Sequence, residues 1–174
     1  MHAAAAILAP TRTSFLPFTS KLKVAPVSRK RNICVFDPNK RTHYRSLEGV
    51  LKDIVDIHWF DDFSRESLEA GELAEGQEPG ELARFKPVMI IVELELLLGS
   101  PNWHDGVKLL ENFRRSEAFD TGVEVMIISN AHAVLAAHNH GVFERLNVKW
   151  TFCWDLLYSP ATRHNIQTIV RDLL

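Results

Sequence analysis

The residues best placed for chemistry are acids and one hydroxyl at the ends of apolar runs. Asp37 closes NICVF, Asp61 and Asp62 follow VDIHWF, and Glu93 and Glu95 follow VMIIV. Ser129 and Asn130 follow VEVMII, and Asp155 follows VKWTFCW. Taken as one site, this set is acidic. It lacks a G-x-G-x-x-G or Walker-type cradle for phosphates, which argues against a nucleotide enzyme. The histidines of AHAVLAAHNHG, His132, His138 and His140, miss the i, i+4 spacing of a helical metal-ligand pair. They read as the polar end of a helix that stops at Gly141. Cys34 and Cys153 both lie in apolar runs, so two cysteines make neither a disulfide scaffold nor a CxxC zinc site.

These strand ends must be positioned by alternating elements. NICVF is a short apolar run ending in the turn formers Asp37, Pro38 and Asn39. Leu47, Val50, Leu51 and Ile54 then fall at helical spacing. VDIHWF alternates as an edge strand does. Five apolar residues in a row in VMIIV predict a strand buried on both faces, as in a parallel sheet. A helix over 106–116, a strand over 123–128, a helix over 131–145 and a last strand over 148–154 follow. Ser159 and Pro160 start a final helix with Ile166, Ile169, Val170 and Leu173 on one face. The stretch 64–85 is acidic and glycine-bearing, and reads as a short helix plus loop or as an acidic docking face. Five strands with five crossovers predict a three-layer (βα)5 α/β domain, whose sites lie at the carboxyl ends of the strands.

A chain of 174 residues with 46% apolar and 24% charged residues is of ordinary globular composition, long enough to bury a full core. No apolar run reaches the roughly 20 residues of a membrane span, and a net charge of -2 gives no general case for nucleic acid. The near-neutral sum conceals an asymmetry. Arg12, Lys21, Lys23, Arg29, Lys30 and Arg31 all precede the first acid, Asp37. The remaining 14 basic residues face 22 acids. The boundary divides a basic tail, 1–31, from a domain, 32–174. The tail reads either as disordered or as an organelle transit peptide, which would be Arg- and Ser-rich and poor in acids. The expected location is therefore cytoplasmic, or a plastid or mitochondrion under the second reading.

The order of elements and their strand ends resembles the receiver domain of two-component response regulators, over about 32–174. That family carries two acids after its first strand, an aspartate phosphoacceptor ending the third, Thr or Ser ending the fourth and a lysine ending the fifth. With magnesium, these move phosphoryl from a histidine kinase to the aspartate. The resemblance implies a flavodoxin-like parallel sheet in the order 2-1-3-4-5, with Cys34 and Cys153 too far apart to pair. In VFDPN, Asp37 matches the first acid, but Pro38 stands where the second should be. Glu93 falls on the phosphoacceptor, the turn after it is replaced by LELLLGSPNWHDG, and Ser129 matches the Thr/Ser position. Cys153, Trp154 or Asp155 occupies the lysine's region, and Lys149 is at the wrong end of the strand.

The resemblance thus implies a pseudo-receiver, a degenerate site of Asp37, Pro38, Glu93 and Ser129 with the phosphorylation chemistry gone. There would be no catalytic residues and no cofactor beyond a weak magnesium site on Asp37 and Glu93. Glutamate is one methylene longer than aspartate, and so supplies a fixed negative group beside Ser129. The leading expectation is a stand-alone signalling module that acts by phosphorylation-independent protein–protein interaction. Its partner would be a histidine kinase, another regulator or a second copy of itself. Alternatives are a phosphorylatable receiver with a shifted site, for which only Asp37 and Asp155 qualify, or an organelle-targeted assembly factor. On an edge strand, Trp150, Phe152 and Trp154 share one side. Its carboxyl end is expected to leave Trp154 partly open beside Leu157 and Tyr158, the three expected contact residues.

Overall fold

In the computed structural model, the described residues are 30–72, 76–77, 81–116 and 122–174. Residues 1–29 of the expected 1–31 tail and part of the acidic stretch lie outside them, while Arg31 opens the first strand. Five strands are present: β1 (Arg31–Phe36), β2 (Val55–Phe60), β3 (Met89–Val92), β4 (Glu124–Ser129) and β5 (Trp150–Cys153). They form one parallel sheet in the order β2-β1-β3-β4-β5. This is the flavodoxin-like architecture and strand order expected. Cys34 and Cys153 are free, on strands separated by two others. Burial pushes the Cys34 thiol up to about 12.

Period-two alternation sends neighbouring strand residues to opposite faces. Ile33, Val35, Met89, Ile91, Met126 and Ile128 meet α1 (Lys40–Leu51) and α7 (Pro160–Asp172) on one side. Cys34, Phe36, Ile90, Val92, Val125 and Ile127 form the other core. This core is covered by α2 (Arg65–Ala70), α3 (Leu82–Phe85), α4 (His104–Arg115), α5 (Ala131–Asn139) and α6 (Val142–Arg145). All four residues of β3 are buried, as its unbroken apolar run requires. Among the described residues no helix is long and apolar enough to cross a membrane.

Three local differences from the sequence reading have physical causes. The helix expected over 131–145 is two pieces, α5 and α6, because Gly141 turns left-handed at φ 64 and ends the first. The acidic stretch contributes α2, entered through a capping box between Ser64 and Ser67, and the single turn α3. The last strand stops at Cys153, and residues Trp154–Tyr158 form a 3-10 turn instead of continuing it. Side chains three apart eclipse in such a turn. Trp154 and Leu157 therefore share the inward side, while Asp155, Leu156 and Tyr158 face outward.

Candidate functional site

Parallel register brings the strand ends to one level. The backbone N–H of Asp37 donates to Phe60 O, and that of Glu93 donates to Phe36 O, so both acids leave the sheet side by side. Asp37 is fully buried, as is Ser129 at the end of β4, and Glu93 nearly so. Pro38 follows Asp37 in the turn into α1, with no acid to offer. Asp37, Glu93 and Ser129 therefore meet.

Their chemistry is set by the donors around them. Glu93 Oε1 accepts from the Ser129 hydroxyl and, at 3.1 Å, from the backbone N–H of Glu95. Glu93 Oε2 accepts from the indole N–H of Trp154. Asp37 Oδ1 accepts from the backbone N–H of Asn39 at 2.7 Å, and His43 Nδ1 lies 2.7 Å from Asp37 Oδ2. An ionised carboxylate only accepts, so the ring nitrogen donates there. The His43 ring in turn stacks on Trp154, 4.0 Å between centroids and 17° between planes. The result is a continuous chain of contacts, from Asp37 through His43 and Trp154 to Glu93 and Ser129. It ties together the ends of β1, β3 and β4, the first turn of α1 and the 3-10 turn.

Burial pushes the Glu93 carboxyl above the usual range. The bonds from Ser129, Glu95 and Trp154 pull it back, and the Asp37 charge adds to the rise. Among the described residues, the ion pairs place no lysine or arginine on Asp37 or Glu93. Lys149 pairs with Glu124 at 2.6 Å, at the opposite end of β4 and β5.

A cavity of about 450 Å³ opens over this network, bordered by His43, Glu93, Glu95, Asn130, Trp154 and Asp155. Its far wall is the 97–101 part of the long turn after β3. Asn130 caps α5, accepting from Ala133 N–H at 2.9 Å, and its amide donates to Glu95 at 2.6 Å. Leu94 and Leu96 anchor the turn in the core. Gly106, in the first turn of α4, donates its N–H to Leu94 O, and a Cβ there would come within 2.6 Å of Glu93 O and Leu94 Cα. Close approach of α4 to the strand end thus requires glycine.

Asp37, His43 and Glu93 offer ligand atoms within 4.8 Å of one another. The set does not match magnesium, which demands an octahedron of oxygens. Every carboxylate oxygen of Asp37 and Glu93 already accepts a protein donor, and the His43 ring, on the cavity wall, covers Asp37.

Two of the three expected contact residues are placed differently from the reading. Trp154 is only 8% exposed and Leu157 is fully buried, because the 3-10 period, not the strand period, governs them. Tyr158 is 68% exposed, and Leu156, not singled out in the sequence, is 51% exposed. His43 also escaped the sequence reading, as did the role of Trp154 as a hydrogen-bond donor. One signal for His43 was available. Side chains in a helix tilt toward its amino terminus, so the first turn after Asp37 leans over the strand ends.

No protein-family model and no curated protein matches the sequence. Solved structures do match in fold. The chemotaxis protein CheY4 of Vibrio cholerae is similar at a TM-score of 0.55 and 6% identity, over 83% of this chain and 99% of that one. A CheY-like response regulator receiver domain protein from Methanospirillum hungatei gives 0.53 and 11%, over 84% and 94%. A response regulator from Thermotoga maritima gives 0.51 and 16%, over 83% and 97%. The chain has the fold of response-regulator receiver domains.

Proposed function

We propose that this chain is a pseudo-receiver, a signalling module that works by protein–protein interaction independent of phosphorylation. One observation carries the reading. At the phosphoacceptor's place stands Glu93, whose carboxylate is already bonded by the Ser129 hydroxyl, the Trp154 indole and the Glu95 N–H. Phosphoryl transfer needs cations to neutralise developing charge. The acids here are faced by neutral donors and one imidazole, with Trp154 in the region where the family has its lysine. Ser129 donates its hydroxyl to Glu93, a group that needs no modification to be there, and so the end of β4 is held in one state.

The output is then a docked partner, either a histidine kinase, another regulator or a second copy. The surface we assign to it is the outward side of the 3-10 turn, Leu156 and Tyr158. Intact-mass measurement after treatment with acetyl phosphate and magnesium tests the chemistry, with no added phosphate expected. A gain of one phosphate, lost on Asp37→Ala, would establish the shifted-site receiver instead.

A further inference from the structure

We infer that the His43 side chain is a built-in plug: it takes the position a divalent cation would need, and its presence keeps oxygen-seeking ions off Asp37 and Glu93. This rests on the pseudo-receiver reading and supplies a cause for one part of it. The ring bonds to Asp37 Oδ2 at 2.7 Å, the oxygen of that carboxylate not taken by Asn39. It is a half-buried group on the cavity wall, whereas Asp37 behind it has no exposure, so the imidazole stands between the carboxylate and solvent.

Two contacts hold the ring there. Its backbone N–H donates to Asn39 O at 3.0 Å, which fixes the start of α1, and its face lies on Trp154. Trp154 is itself locked by burial and by its bond to Glu93. An ion entering between Asp37 and Glu93 would have to displace the Asp37–His43 bond and break this stack. Magnesium binds through carboxylates and water and dehydrates reluctantly, so it gains too little from two already-bonded carboxylates to displace them. Truncating the imidazole changes the balance. Asp37 Oδ2 then loses its donor and faces the cavity, near a second carboxylate whose charge repels it. A divalent cation relieves both.

The test uses the full chain and its His43→Ala variant, titrated with magnesium or manganese alone. Binding is followed by manganese spin resonance and by tryptophan emission, since Trp154 touches the site and the Trp59 indole donates to Asp37 O at 2.8 Å. The unaltered chain should show no saturable binding through the millimolar range. His43→Ala should bind manganese at least about tenfold more tightly, and adding Asp37→Asn should remove that gain. Saturable magnesium binding by the unaltered chain overturns the plug. So does a His43→Ala protein with an unchanged circular dichroism spectrum and no gain. Zinc binding that is lost in His43→Ala would make the ring a ligand and also overturns it. If His43→Ala does not fold, the nitrogen resonances of His43 in the unaltered chain decide: they should not move on magnesium addition, and a saturable shift overturns the proposal. These outcomes are separate from phosphate gain by the unaltered chain, which bears on the pseudo-receiver reading alone.

Discussion

The two sides of one short turn, Trp154–Tyr158, show how the domain divides its labour. On the inward side, Trp154 and Leu157 are buried, and the indole joins a network of acids, a hydroxyl and an imidazole. On the outward side, Leu156 and Tyr158 stand in solvent with apolar surface unused by the core. The inward side is stabilised by packing and by fully paired polar groups, so it should respond to substitution as a structural core does. Exposed residues that pack against nothing contribute little to folding and remain available for contact. The lesson is that the acids and hydroxyl at the strand ends are packed as part of the core, while the surface beside them leaves large apolar groups in solvent.

Substitutions can break or sharpen this contrast. The largest effect should come from Trp154→Ala. It removes a buried indole, unstacks His43 and leaves Glu93 Oε2 without its donor, and should cost about 3–5 kcal/mol in urea unfolding, the range for a large aromatic. A loss under about 1 kcal/mol would place Trp154 with the outward residues.

Gly106→Ala tests how closely α4 is fitted to the site. Its methyl would meet backbone at 2.6 Å, which cannot rotate away, so a loss of about 1–3 kcal/mol is expected from overpacking. Unfolding of this variant beside Gly49→Ala, where a Cβ meets nothing within 4 Å, gives the internal control.

Leu156→Ala with Tyr158→Ala should do the reverse of Trp154→Ala. Unfolding should change by no more than about 0.5 kcal/mol per site. Self-association or partner capture, read by sedimentation or pull-down with a candidate kinase, should weaken by about 2 kcal/mol if these are hot spots. Unchanged binding would move the search to Leu98 on the turn after β3, which is also exposed.

The smallest effect is a pH slope. Glu93 has a folded-state value raised by burial above the ordinary one. A raised carboxyl favours the native state in acid, and that contribution is lost as pH rises through the folded-state value. The stability of the unaltered chain relative to Glu93→Gln should therefore fall from acid toward neutral pH. Urea melts of both across that interval read the difference. A relative gain on raising pH would mean that the Ser129, Trp154 and Glu95 donors outweigh burial.

Much of this protein was determined by local sequence. The apolar run VMIIV, bounded by Pro87 and by acids, pointed to a strand covered on both faces, and the hydroxyl–proline pair at Ser159–Pro160 to a helix start. The spacing of the runs required alternating strand and helix, hence acids at strand ends. That Asp37, Glu93 and Ser129 meet depends on β1, β3 and β4 lying side by side, an order that the resemblance implied and the spacing of the runs did not. Tertiary structure alone decided what those acids do. His43 sits in the first turn after Asp37, but that its ring bonds Asp37 and stacks on Trp154, far along the chain, is decided by how α1 and the 3-10 turn pack over the strand ends. Trp154 turns inward because the edge strand ends one residue before it and the backbone tightens to a three-residue period, which reverses the alternation expected for a strand. A period can be read from a sequence only if the element carrying it is known. The end of β5 is settled by its one neighbour, β4, and by the room beneath the turn for an indole against Glu93.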